Sequence, residues 1–126
     1  MFSHIMLGAN DIEESKTFYD AVLGAMGYEP GVIDPKGRCF YYTKSGVFAL
    51  SKPINGEPAC HGNGSTIGFA AKDTETADAW YEAGLANGGT ICEDPPGVRE
   101  GGGVKLYLAY LRDPSGNKIC ALRRVS

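Results

Sequence analysis

SHIMLGANDIEESKTFYDAVLGAMG, residues 3–27, and STIGFAAKDTETADAWYEAGLANGG, residues 65–89, decide the fold. Laid one on the other at an offset of 62 residues, they match without a gap at nine of 25 positions. The matches are Ser3/Ser65, Ile5/Ile67, Ala9/Ala71, Asp11/Asp73, Glu13/Glu75, Tyr19/Tyr81, Ala21/Ala83, Leu23/Leu85 and Gly27/Gly89. Phe18 against Trp80 and Asp20 against Glu82 keep the chemical type. Such self-similarity means two copies of one small motif, each too small to close a core alone.

Each copy opens with an apolar stretch, residues 2–8 and 65–71, that reads as a strand, followed by an acidic cap and a helical period. Asp11 is placed to accept from the first free amides of the first helix, with Glu14 at the reciprocal position. Ser15, Phe18, Tyr19, Val22 and Met26 then share one side of that helix. Asp73 caps the second helix, and Ala77, Trp80, Tyr81 and Leu85 repeat the stripe. Beyond each helix the period falls toward two. Residues 28–33, 37–43 and 47–52 are expected strands in the first copy, and 89–92, 104–112 and 117–124 in the second. Asp34-Pro35-Lys36-Gly37 and Asp113-Pro114-Ser115-Gly116 read as turns. Residues 93–103 read as a long loop. Each unit is therefore βαβββ, and the chain is expected to be one α+β domain: repeat module 1–52, connector 53–64 and repeat module 65–126. A four-stranded sheet covered by one helix leaves a second face open. Two paired units can curve those faces around a mixed-sheet cleft.

Composition narrows the partners. Twelve Lys and Arg against 15 Asp and Glu give a net charge of −3 over 126 residues, without the cationic footprint of a nucleic-acid binder. No apolar run approaches the length that spans a bilayer, and no basic start leads into a cleavable leader, so the expectation is a cytoplasmic protein with neither nucleic-acid nor membrane partners. Cys39, Cys60, Cys92 and Cys120 are widely spaced with no CxxC pair, which reads as free thiols.

His4-Ile5-Met6-Leu7, Asp11-Ile12-Glu13-Glu14-Ser15, Phe18 through Gly24, and Asp113 through Ile119 resemble the glyoxalase, bleomycin-resistance and extradiol-dioxygenase superfamily, the vicinal oxygen chelate proteins. The likeness runs over nearly all of the chain and implies a glyoxalase/bleomycin-resistance-like fold, a small organic ligand and a homodimer. In metal-dependent members of that family four positions hold a divalent cation. By resemblance they fall here at His4, Ala49, Thr66 and Cys120. Only His4 matches the usual ligand types; the others offer a methyl group, a hydroxyl and a thiol where His, Glu or Gln is usual. No tightly bound metal or other cofactor is therefore expected, and a divalent metal is the lesser alternative. Without a carboxylate at position 49, glyoxalase I chemistry also lacks a general base.

The remaining expectations concern single side chains. His4 and Cys120 are candidate catalytic residues, since a histidine can activate a thiol. Phe48, Ala49, Thr66, Arg99 and Tyr107 are candidate substrate contacts: Phe48 and Tyr107 as aromatic walls, Arg99 as a donor fork for a ligand carboxylate or phosphate. Gly101-Gly102-Gly103 lacks the Lys and Ser/Thr of a phosphate loop and leads into a strand. Three functions stay open: a metal-independent lyase-like or isomerase-like enzyme, a non-catalytic protein that sequesters a drug or metabolite, and a metal-dependent lyase, isomerase or dioxygenase.

Overall fold

The computed structural model describes all residues, 1–126. Its first half runs β1 (His4–Gly8), α1 (Ile12–Ala25), β2 (Val32–Ile33), β3 (Cys39–Thr43) and β4 (Gly46–Ser51). Its second half runs β5 (Ile67–Ala70), α2 (Thr74–Ala86), β6 (Thr90–Ile91), β7 (Gly97–Gly101), β8 (Val104–Arg112) and β9 (Lys118–Arg124). The repeat is visible in the pairing. The first sheet has the order β1-β4-β3-β2 and the second β5-β9-β8-β6, so the opening strand of each lies parallel to the closing one while the rest are antiparallel. Both sheets stay open, as the α+β reading requires. Neither helix is long and apolar enough to cross a membrane.

The caps form where the acids stand. Asp11 accepts from the Glu14 amide at 3.0 Å and Asp73 from the Thr76 amide at 2.7 Å, each satisfying a donor that the first helical turn leaves free. Helix α1 buries Ser15, Phe18, Tyr19, Val22 and Leu23, and α2 buries Thr76, Ala77, Trp80, Tyr81 and Gly84. The two stripes meet. Gly84 of α2 lies under Phe18 and Val22 of α1 and Leu111 of β8, so closely that a methyl group there would stand 2.3 Å from Leu111 Cδ1. Trp80, Tyr19, Tyr41 and Phe18 are among the largest fully enclosed side chains, and burying each contributes roughly 1.5–3 kcal/mol.

Two expectations change. Of the stretch 28–33, only Val32 and Ile33 pair, with Phe40 and Cys39. More consequentially, the expected loop 93–103 contains β7, which pairs with β8 from Gly97↔Leu108 to Gly101↔Val104. Gly102 and Gly103 close this hairpin with φ of 59° and 80°, the two successive left-handed residues that a tight two-residue turn needs. Strand β7 is held at the sheet edge by backbone bonds, and its Gly-Val-Arg-Glu-Gly sequence carries no apolar alternation to announce it.

Candidate functional site

Side chains alternate across a strand, so the strand pairings assign every residue to a face. In the first sheet Ile5, Leu7, Phe48, Leu50, Cys39 and Tyr41 turn toward the helices, and all join or pack against the core. The opposite face carries His4 and Met6 of β1, Val47 and Ala49 of β4, and Phe40 and Tyr42 of β3. Here Phe40 and Tyr42 stack with centroids 5.8 Å apart, and Arg38 lies over Phe40 at 5.0 Å. Ala49 sits opposite both Met6 and Phe40 and is fully covered by its neighbours. His4 is exposed, and its Nδ1 shares a 2.8 Å hydrogen bond with the Ser3 hydroxyl.

The second sheet repeats the division. Ile67, Phe69, Ile119, Ala121, Ala109 and Leu111 face the core. Gly68, Ala70, Cys120, Leu122, Leu108 and Tyr110 share the open face, with Cys120 directly opposite both Gly68 and Tyr110. Thr66, one residue before β5, has the parity of Gly68 and is exposed. Cys120 is buried, and that burial pushes its thiol up to about 11, outweighing the opposing influence of the Lys118 ammonium. Lys118 stands over the Tyr110 ring, 5.0 Å from its centroid, and forms an ion pair with Glu93 that raises the ammonium pKa further.

The four mapped positions thus divide two and two, His4 and Ala49 on one open face, Thr66 and Cys120 on the other. Within one chain His4 and Cys120 form no hydrogen bond; the imidazole is engaged by Ser3, and the thiol stays protonated near neutrality. Three of the expected substrate contacts, Phe48, Tyr107 and Arg99, are engaged within the chain. Phe48 follows the core parity, 4.7 Å from Tyr19 and 5.3 Å from Phe69, because neighbouring residues on a strand point to opposite faces and Ala49 holds the open one. It does border an apolar cavity of about 330 Å³ beside Phe2, Leu23, Tyr28 and Ile67, between the start of β1 and β5. Tyr107 lies on the helix side. Its hydroxyl donates to Asp78 of α2 at 2.6 Å, and that bond leads the causes raising its pKa to about 12. Arg99 is on the open face, but its guanidinium is tied to nearby backbone carbonyls. Nη1 donates to the Pro95, Gly97 and Leu108 carbonyls and Nη2 to that of Asp94.

Sequence reasoning passed over Lys118 and Glu93. The first was within reach, since it stands two residues before Cys120 on the same strand and therefore on the same face. Glu93 carried no signal, because its placement depends on a left-handed backbone, φ 61°, rare outside glycine.

The donor chemistry does not fit a tightly held catalytic metal. Ala49 has no donor atom, Thr66 offers a neutral alcohol, and Cys120 would have to lose a proton held to about 11. No three His, Cys, Asp or Glu side chains are grouped so as to hold an ion.

The family model described as Glyoxalase/Bleomycin resistance protein/Dioxygenase superfamily matches residues 1–121. The crystal structure of a glyoxalase/bleomycin resistance protein from Albidiferax ferrireducens T118 is 62% identical with a TM-score of 0.92, over 96% of this chain and 97% of that one. A glyoxalase-related enzyme from Fulvimarina pelagi is 21% identical with a TM-score of 0.71, over 97% of this chain and 86% of that one. Lactoylglutathione lyase from Agrobacterium tumefaciens is 23% identical with a TM-score of 0.61, over 97% and 92%. These last two show likeness of fold alone. No match is found among curated proteins.

Proposed function

Because this chain belongs to the Glyoxalase/Bleomycin resistance protein/Dioxygenase superfamily, we propose that its residues 1–126 act as a single cytoplasmic domain that binds a small organic molecule on the open sheet faces. It does so as a homodimer and without a tightly held catalytic metal. The observation that supports this reading most is the division of the four family positions between two faces that no helix of the same chain covers. The first of those faces leaves Met6, Val32 and Tyr42 in contact with water, and apolar side chains clustered on such a surface mark a site of association. A second copy that sets its second sheet against the first sheet of its partner would bring His4, Ala49, Thr66 and Cys120 to one cleft. Such a cleft would set Met6, Phe40, Tyr42, Leu108 and Tyr110 beside cationic side chains, apolar walls with polar groups to orient an organic ligand.

Within one chain the imidazole of His4 is engaged by Ser3 and the Cys120 thiol is protonated, so binding needs nothing further from these two residues, whereas turnover through them would need the second copy to bring them together. Light scattering over a micromolar concentration series tests the assembly, and a species that stays at 13.4 kDa throughout would defeat it. Elemental analysis of dialysed, tag-free protein should find less than about one-tenth equivalent of Ni, Zn, Fe or Mn. Stoichiometric metal that disappears in His4→Ala would return metal-assisted lyase, isomerase or dioxygenase chemistry to first place. Crystals soaked in a metabolite mixture should show density beside His4, and ligands found only away from the sheet faces would sink the reading.

A further inference from the structure

The open face of the second sheet has a charge pattern at odds with the rest of the molecule. The chain is net acidic by three charges. Yet the strand positions of this face carry Arg99, Arg112, Lys118 and Arg124 and not one carboxylate. Arg112 and Lys118 are direct partners across β8 and β9, two cations side by side on one face. Like charges placed so oppose pairing of the strands. The arrangement persists with one acidic counter-ion on Lys118, Glu93, supplied from just beyond β6.

Glu93 reaches that place in an unusual way. It is the single non-glycine residue with positive φ, at 61°, a conformation that an L side chain resists. The strained backbone sets a carboxylate on Lys118, directly above the ring of Tyr110. Arg99 is committed to four backbone carbonyls and Arg124 donates through Nε to the Ser126 carbonyl at the chain's end, whereas Arg112 has one partner, its Nη1 donating to the Gly116 carbonyl at 2.8 Å. Beside the Tyr110 ring, free donors for an incoming anion therefore remain on Lys118 and Arg112. Leu108, Leu122 and the Tyr110 ring provide an apolar floor alongside them.

We propose that this face is an oxyanion subsite: Lys118, with Arg112 beside it, receives the carboxylate or phosphate of an aromatic-bearing small molecule, and Glu93 occupies the ammonium beforehand as an internal stand-in for that group. The inference rests on the reading of the open faces as the ligand surface and assigns that ligand a negative charge. A ligand anion replaces the Glu93 carboxylate on Lys118, and residue 93 is then free to leave its left-handed conformation. Cationic compounds are disfavoured by the same pattern.

Amide spectra of the ¹⁵N-labelled full chain, titrated with benzoate, phenyl phosphate and benzamide, test the proposal. Benzoate or phenyl phosphate should shift the amides of Tyr110, Lys118 and Cys120, and benzamide should bind at least about tenfold more weakly, the scale of a lost charge-assisted hydrogen bond. The carboxylate and phosphate arms separate the two sources of the anion. Lys118→Met should lose that preference, Lys118→Arg should keep it, and Glu93→Gln should tighten anion binding several-fold; thermal melts check that each variant folds. Equal binding of benzoate and benzamide on this face would overturn the proposal and leave the site reading standing. So would a Glu93→Gln variant that binds anions no better. Probes that bind only elsewhere, or not at all, would overturn both.

Discussion

Cys120 shows how an environment decides what a residue type can do. By type it is a nucleophile, and by resemblance alone its position is one where a metal ligand would be expected. Burial between Gly68 and Tyr110 holds the thiol pKa at about 11. At pH 7.5 the thiolate is a fraction on the order of 10⁻³ or below. Iodoacetamide should therefore label exposed Cys60 well before Cys120, and the rate at Cys120 should keep climbing as pH is raised through 10. Peptide mapping by mass spectrometry reads both, and a Cys120 rate that levels off near pH 8 would show the thiol to be activated after all. Tyr107 and Tyr110 show why part of the site was not legible. The run Leu106 to Leu111 is apolar or aromatic throughout, so either parity gives a credible inner face, and a shift of one residue exchanges the two sets. The pairing of Tyr110 with Cys120 selects the face, and that pairing is a long-range fact no local pattern contains.

The elements most legible in the sequence are those that the repeat states twice. Both helices, their Asp caps and the long strands β8 and β9 follow from periodicity and turn chemistry. The short edge strands β2, β6 and β7 owe their existence to a neighbour's free backbone groups, and their own side chains announce little. Gly84 was equally silent, since glycine inside a helix reads as a weakness. A pair of substitutions separates propensity from packing. Alanine is favoured over glycine by about 1 kcal/mol in a helix interior. At Gly24 of α1 nothing lies within 4 Å of the added methyl group, so Gly24→Ala should stabilise by up to about 1 kcal/mol. At Gly84 the same methyl group would meet Leu111 at 2.3 Å and Phe18 and Val22 at 3.2 Å. Overpacking of this kind should make Gly84→Ala less stable by about 1–3 kcal/mol despite the better propensity. Urea midpoints decide; equal stabilisation by both changes would mean that α1 and α2 separate easily to admit a methyl group.

At the scale of the whole molecule, a polar joint ties the two halves. The Tyr19 hydroxyl of α1 donates to Asp113 Oδ2 at 2.6 Å, and Asn117 Nδ2 donates to the same oxygen and to the Gly8 carbonyl at the end of β1. Asp113 Oδ1 accepts the Ser115 and Asn117 amides, which shapes the β8–β9 turn. Burial first, and the Asp113 charge second, raise the Tyr19 pKa far above its ordinary value, so this phenol remains a donor throughout the accessible pH range. Tyr19→Phe removes one donor from a carboxylate that keeps three, which should cost about 1.5–3 kcal/mol. Asp113→Ala should cost more, because it strands the enclosed Tyr19 hydroxyl as well as undoing the turn. The two halves should still unfold as one unit if their helices alone were enough to hold them. If the joint is what couples them, Asp113→Ala should split the transition, with the amides of β4 and β9 losing hydrogen-exchange protection at different denaturant concentrations. We expect the second outcome, since this buried network links α1 and β1 directly to the β8–β9 turn; a single coincident loss of protection in the variant would assign the coupling to the contact of α1 with α2.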